Sequence, residues 1–300
     1  MLSVIITTYN RPQMLREAIN SVQRQDYLDK EIIVVDDNSS LDNSFCIPLV
    51  DKYIKNAKNQ GLGKNHIIGF NASRGEYICF LDDDDYYTDY SYFSKAISIL
   101  DNDLELSFVS GSSITKYDPS GKEEPYILTH GHKLDAIEYL QNILITYRKP
   151  QSTFTTVFRR VVLLKMGLDK MLNPEDAALY LRALSLGGYV CLLENIVGMY
   201  RVHSNNMSKA LDCQQMINLQ KEILEVYRRS KKKLTSPSFW WYKQFRFTFD
   251  FFIGSNPLKE NINRMIKWGY SHSAGSIYIW LFLFHYQLIQ IKKRVLDRTI

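Results

Sequence analysis

Four consecutive aspartates, Asp82 to Asp85, follow directly on the apolar run Tyr77-Ile78-Cys79-Phe80-Leu81. Like charges about 4 Å apart repel by roughly 1 kcal/mol in water and by about 4 kcal/mol at an effective dielectric near 20. Such a cluster at the end of an apolar strand calls for a counter-ion. Clustered carboxylates suit hard cations such as Mg2+, Mn2+ or Ca2+. The run lacks the spaced aspartates, the glycine and the final glutamate of an EF-hand loop. Mg2+ or Mn2+ is instead commonly held by one or two carboxylates, with substrate phosphates completing the shell. In an extended segment Asp82 and Asp84 would share one face, and Asp83 and Asp85 the other. One face would then hold a metal-diphosphate and the other would contact ribose or protein.

Two more acidic places stand at the ends of apolar segments. Asp36-Asp37-Asn38 follows Glu31-Ile32-Ile33-Val34-Val35, and Glu175-Asp176 opens an amphipathic stretch with Ala178, Leu179, Leu181 and Leu184 at helical spacing. Acids in a first helical turn also interact favourably with the helix dipole, so position alone gives this pair no chemistry.

The elements that must carry these residues alternate. Val4-Ile5-Ile6-Thr7-Thr8 predicts a buried strand, and Pro12 starts a helix with Met14, Leu15, Ala18, Ile19 and Val22 on one face. The strand 31–35 follows, then a helix at 44–54, a weaker strand at 53–57, and a helix from the turn Asn59-Gln60-Gly61-Leu62-Gly63 to Ser73. After the aspartate strand come a helix over 90–100 and a strand over 106–110. Gln151 to Arg160 and Tyr189 to Tyr200 are further strand-like runs. Fully apolar strands alternating with helices predict an α/β fold, a mostly parallel sheet covered on both faces. In such sheets ligands bind beyond the carboxyl ends of the strands. Thr8-Tyr9-Asn10-Arg11, Asp36-Asp37-Asn38 and Asp82 to Asp85 would all lie at that one edge, which predicts a cleft.

From about residue 215 helical, aromatic patterns take over. Ile277 to Ile291 is almost wholly apolar and precedes Lys292-Lys293-Arg294; a second basic run spans Arg228 to Lys233. Fifteen helical residues reach about 22 Å, short of the roughly 30 Å hydrocarbon core, and His285, Gln287 and Gln290 interrupt them. An interfacial or buried helix is expected rather than a span. The expected organisation is two halves of one α/β domain, 1–110 and 111–215, followed by a helical region over 216–300.

Composition is that of a globular chain, 45% hydrophobic and 23% charged over 300 residues. The net charge of +5 is modest and no nucleic-acid partner is expected. Met1 leads into Leu-Ser-Val-Ile-Ile without a basic n-region, and Cys46, Cys79, Cys191 and Cys213 have no metal-ligand spacing. The expectation is a cytosolic protein with reduced thiols. No P-loop or dinucleotide glycine motif is present.

Five segments in order, "SVIITTYNR", "IIVVDDNSSLDN", "NQGLGKNHIIGFNASRGEYICFLDDDD", "NPEDAALYLRALSLGG" and "YRVHSNNMS", resemble the glycosyltransferase family 2 enzymes over residues 1 to 210. The resemblance implies the GT-A fold, a Rossmann-like sheet with helices on both faces. It implies an inverting transfer from a nucleoside-diphosphate sugar, with uracil the typical base, to a saccharide or lipid-linked saccharide. By position, Thr8 and Tyr9, with Arg11 after them, belong to the nucleotide-sugar site, and Asp37 accepts from the base. Asp82, Asp84 and Asp85 match the family's D-x-D-D stretch. Asp82 is assigned to the nucleotide-sugar, Asp84 and Asp85 to Mn2+ or Mg2+, and Asp83 fills the variable position beside the nucleotide. Asp176 matches the general base, with Glu175 as support. Arg201 and His203 resemble the loop that closes on the diphosphate. His66 departs from the pattern, because many relatives carry Arg-Asn where this chain has His66-Ile67; it stands as a weaker nucleotide contact or as a helix residue only.

A pyrophosphorylase would need a glycine-rich basic loop that "ITTYNRPQ" lacks, and a glycosidase would need two facing carboxylates. The remaining alternative is a non-catalytic GT-A-like scaffold at a membrane. The expected location is cytoplasmic, peripheral on the inner membrane surface.

Overall fold

The computed structural model describes residues 1–300 except 130, 131, 144, 173, 204–211, 256 and 297–300; for 132 and 291–296 it describes the backbone alone. The chain divides into two compact units, Met1–Ser204 and Asn205–Ile300.

The first unit is built on one ten-stranded sheet. Its strands are β1 (Leu2–Thr8), β2 (Lys30–Asp36), β3 (Lys52–Lys55), β4 (Tyr77–Asp82), β5 (Tyr86–Tyr87), β6 (Leu106–Tyr117), β7 (Lys122–Tyr126), β8 (His132–Asp135), β9 (Thr156–Arg159) and β10 (Tyr189–Val202). They run in the order β3-β2-β1-β4-β9-β6-β10-β5, with β7 on β6 and β8 on β10. β3, β2, β1 and β4 are mutually parallel. β9 enters antiparallel to both β4 and β6, and β6 and β10 are again parallel.

Register aligns the polar strand ends. Thr8 pairs with Asp36 and Thr7 with Asp82, so three strands release their chains at one edge. The helices α1 (Pro12–Gln23), α2 (Leu62–Ala72), α3 (Tyr92–Asn102), α4 (Ala136–Asn142), α5 (Arg160–Met166) and α6 (Asp176–Ser185) connect the strands. Alternation along β1 explains the layers. Leu2, Val4 and Ile6 join Leu15, Ile19 and Val22 of α1 and Phe93, Ile97 and Leu100 of α3 in one core. On the other face Ile5 meets α2 so closely that a Cβ on Gly69 would lie 2.2 Å from its Cγ2. Phe80, Phe158, Phe108 and Tyr180 of α6 form a ring chain with centroids 5.4–6.5 Å apart.

Two segments depart from expectation. Residues 44–54 form only a 3-10 turn, Ser44–Leu49, before β3. Pro48 inside the segment removes an N–H and disfavours helix before it. β6 does not stop at Ser110 but runs on through Gly111-Ser112-Ser113. The buried hydroxyls there are satisfied from distant segments: Ser112 donates to the Leu193 carbonyl and Ser113 to Gln151.

The second unit holds α7 (Cys213–Ser230), α8 (Pro237–Gly254), α9 (Lys259–Ser271) and α10 (Ile277–Leu296). Asp212 caps α7 through the N–H groups of Gln214 and Gln215. Aromatic rings join the helices: Trp241 meets Trp268, and Phe249 meets Phe282 and Tyr286. Among the described residues no helix is long and apolar enough to cross a membrane.

Candidate active site

Asn10 adopts a left-handed backbone, φ 57°, where β1 ends. Asparagine tolerates this region better than most residues. Its side-chain oxygen accepts from the N–H groups of Ser40 and Leu41, tying the ends of β1 and β2 together. The chain turns back, and Arg11 reaches the aspartates. Its Nε lies 3.2 Å from Asp83 and its Nη1 pairs with Asp84. Tyr9 leaves its ring 45% exposed at the mouth of this edge.

The aspartates do not alternate as an extended run would. β4 stops at Asp82, and the Asp85 N–H turns back to the Asp82 carbonyl at 3.1 Å. Asp82, Asp84 and Asp85 can thereby each offer a carboxylate oxygen within 4.8 Å of one another. Asp83 turns away into the protein. It accepts from the Thr8 hydroxyl at 2.6 Å and the Tyr9 N–H at 3.4 Å, besides pairing with Arg11. Asp83 is 1% exposed, as is Asp85, and its bonds to Thr8 and Tyr9 hold the end of β1.

The carboxylates of the cluster raise one another's proton affinity. Burial, then the charges of Asp84 and Asp176, push the Asp82 carboxyl well above the usual carboxylate range. Burial and the charges of Asp84 and Asp82 do the same to Asp85, against hydrogen bonds from the Arg201 N–H and the Ser152 hydroxyl. Burial raises Asp83 to about 7 despite Arg11. Three mutually repelling oxygen donors within reach of one point are the donor set that a hard divalent cation takes.

Arg201 and His203 arrive from the end of β10. His203 Nε2 lies 3.0 Å from Asp84 and 3.3 Å from Arg11 Nη1. The Arg201 guanidinium pairs with Glu17 at 2.7 Å and lies over the Tyr86 ring. The rest of the "YRVHSNNMS" segment, from Ser204, lies outside the described residues.

Asp36 and Asp37 divide the labour at the end of β2. Asp36 is fully buried and accepts from Tyr53, Asn43 and the Ser39 N–H. Asp37 accepts from the N–H groups of Gln60 and Gly61 at 2.7 and 2.9 Å and from Asn56 at 2.9 Å. Gly61 makes this possible with φ 83° at the start of α2. A carboxylate has about four acceptor positions, so one remains for a further donor.

His66 is buried completely. Its Nδ1 lies 2.8 Å from the Pro174 carbonyl oxygen, and its ring sits 4.6 Å from Phe80. Burial lowers its pKa. It therefore does not line the cleft; it packs the segment before α6 onto α2. Gly63 serves the same junction, since a Cβ there would lie 2.7 Å from Pro174 Cδ. Asp176, the first residue of α6, is thereby carried toward the cluster, where its charge raises Asp82. Glu175 is the residue before it; Asn173, also of that segment, lies outside the described residues.

The structure adds Lys149, which gave no signal in sequence. Burial lowers its pKa while the Asp176 charge opposes that, and its Nζ donates to the carbonyls of Pro150 and Gln151. It sits in an irregular stretch where no periodicity or motif marks it. Ser152, three residues on, supports Asp85.

A sheet of this order with helices on both faces has the GT-A fold. The model of the family "Glycosyl transferase family 2" matches residues 3–165, and the chain belongs to that family. A curated relative, the GalNAc(5)-diNAcBac-PP-undecaprenol beta-1,3-glucosyltransferase of Campylobacter jejuni, is 42% identical over 91 residues, 28% of this chain and 29% of that protein. The first two curated relatives are matched over only 29% and 37% of their lengths. S. aureus TarS 1–349 in complex with UDP-GlcNAc is similar in structure, with TM-score 0.59, 18% identity, and coverage of 89% of this chain and 83% of that one. The mannosyltransferase PcManGT from Pyrobaculum calidifontis, in complex with GDP-Man and Mn2+, is similar at TM-score 0.55, 14% identity, and coverage of 97% and 80%.

Proposed function

We propose that this glycosyltransferase moves a sugar from a UDP-sugar to a hydroxyl of a saccharide or lipid-linked saccharide, with inversion at the anomeric carbon. One observation carries the reading: three aspartate carboxylates converge within 4.8 Å at the strand edge, and Asp176 lies near enough for its charge to raise Asp82. Thr8 and Tyr9 flank the nucleoside, whose base N–H meets the acceptor position left on Asp37. Asp82 orients the ribose. Asp84 and Asp85 would hold Mn2+ or Mg2+, which when bound neutralises charge on the diphosphate. Arg11, Arg201 and His203 supply donors to the same leaving diphosphate. Asp176 takes the proton from the acceptor hydroxyl as that oxygen attacks the anomeric carbon. One displacement suffices, and no residue need form a covalent intermediate.

The Campylobacter relative, a GalNAc(5)-diNAcBac-PP-undecaprenol glucosyltransferase, supports a polyprenyl-diphosphate-linked acceptor. Such an acceptor would place the protein peripherally on the cytoplasmic face of a membrane.

Asp176→Asn tests the reading. Transfer is expected to fall by about 10²- to 10⁴-fold, while UDP-sugar binding in the presence of Mn2+ stays at the wild-type level. Transfer near the wild-type rate would remove Asp176 from the role of base.

A further inference from the structure

From Ile277 to Gln290, α10 has no aspartate, glutamate, lysine or arginine. Only one stripe is turned inward: Ile279 and Leu283 are fully buried, and Phe282 and Tyr286 pack on Phe249 of α8. The rest of the circumference is open and mostly apolar, interrupted by the exposed His285 and Gln287. Ile277, Leu281 and Phe284 are 60%, 60% and 59% exposed, and Tyr278, Leu288 and Ile289 are 40–44% exposed. Scattered exposed apolar residues are ordinary, but a contiguous apolar face marks a surface that meets something other than water.

Charge selects the occupant. Residues 205–300 contain 16 lysines and arginines against 6 aspartates and glutamates, a formal net charge of +10, whereas residues 1–204 carry −5. One cation, Arg246, borders the apolar face. Between α8 and α10 a groove of about 360 Å³ is lined by Tyr242, Arg246, Tyr278, Leu281, Phe282 and His285. Its Arg246 pairs with Asp250 at 3.3 Å and donates to the Tyr242 hydroxyl. Trp280 donates to the Ser273 hydroxyl and lies against Tyr270, fixed with its ring half exposed. Amphipathic aromatic rings, an uncharged apolar face and a bordering cation match the boundary between acyl chains and anionic head groups. A second copy paired face to face through the same helix would instead bring another +10 unit against the first.

We infer that the outward face of α10 is a docking surface for an anionic phospholipid membrane, on which the helix lies in the plane of the interface. This gives a place to the membrane location proposed above, and it rests on α10 and the charge distribution rather than on the sugar chemistry.

The test uses the full chain and vesicles of phosphatidylglycerol with phosphatidylcholine, or of phosphatidylcholine alone. Co-sedimentation is expected with the anionic vesicles, weakening at high salt, and at most weak with the neutral ones. Leu281→Gln/Phe284→Gln/Leu288→Gln is expected to lower binding to anionic vesicles by at least about 10-fold. UDP-induced thermal stabilisation of that variant, unchanged from wild type, confirms that it is folded. A second measurement needs no variant. Trp240, Trp241 and Trp268 are buried, so brominated anionic lipids are expected to quench the fluorescence of Trp280 alone.

Equal binding to both vesicle types, triple-variant binding as tight as wild type, or no quenching overturns the inference. So does a dimer in solution that the triple substitution dissociates while vesicles bind neither protein. No binding of the wild-type chain to anionic vesicles, with its UDP binding intact, would sink the docking surface alone. Vesicle binding without UDP binding would sink the sugar-transfer reading alone.

Discussion

Asp36 and Asp37 are adjacent and chemically identical, yet the fold gives them different work. Burial by itself would raise the Asp36 pKa, but hydrogen bonds from Tyr53, Asn43 and Ser39 outweigh it and hold the carboxyl below its usual range. A carboxylate with a depressed native pKa stabilises the fold above its unfolded pKa and loses that contribution as pH falls through the native value. Asp36→Asn is expected to destabilise the protein by about 1–3 kcal/mol at neutral pH. The deficit should shrink as pH drops below about 4, because the wild type then loses what the variant already lacks. Urea denaturation at several pH values checks this, and a pH-independent deficit would contradict it. The same scale separates the four aspartates. Asp83 differs from its neighbours because the backbone turned, which no count of charges reveals.

At the scale of elements, the edge of the sheet and the helices α2 and α6 form one device. The parallel register sets Thr8 opposite Asp36 and Thr7 opposite Asp82, and the Gly61 turn aims two N–H groups at Asp37. The close approach of Gly63 to Pro174 sets where α6 begins. Gly63→Ala places a methyl group 2.7 Å from Pro174 Cδ, so the proline segment must shift. A displacement of even 1 Å in a catalytic group can reduce rate by about 10²-fold. The variant is expected to lose about 10- to 100-fold in kcat while retaining UDP binding. Unchanged kcat would show that the junction does not position Asp176. The strands 2–8, 30–36 and 77–82 were legible because continuous apolar, β-branched runs have few other places to go. The second half of β6 was not, since Gly111-Ser112-Ser113 reads as a loop until Leu193 and Gln151 satisfy its hydroxyls.

For the whole molecule, an acidic first unit bears the aspartate cluster and a strongly basic helical unit follows it. If the cleft binds a metal-diphosphate, UDP with Mn2+ must stabilise the folded chain by mass action, by about 2.7 kcal/mol at 100 times the dissociation constant. A rise in melting temperature is expected with both present, and chelation should remove most of it. A rise that survives chelation would argue for metal-free nucleotide binding.

By itself the sequence determined the alternating strands and helices, the three polar strand ends, the family and the helical aromatic tail. Each is written in local pattern or in ordered motifs. Tertiary structure alone decided which carboxylates converge, that His66 is buried under Pro174, that Lys149 stands near Asp176, and which side of α10 stays open. The physical reason is separation along the chain. Asp85 is held by Ser152 and by the Arg201 N–H, 67 and 116 residues away, and no local pattern encodes partners that distant.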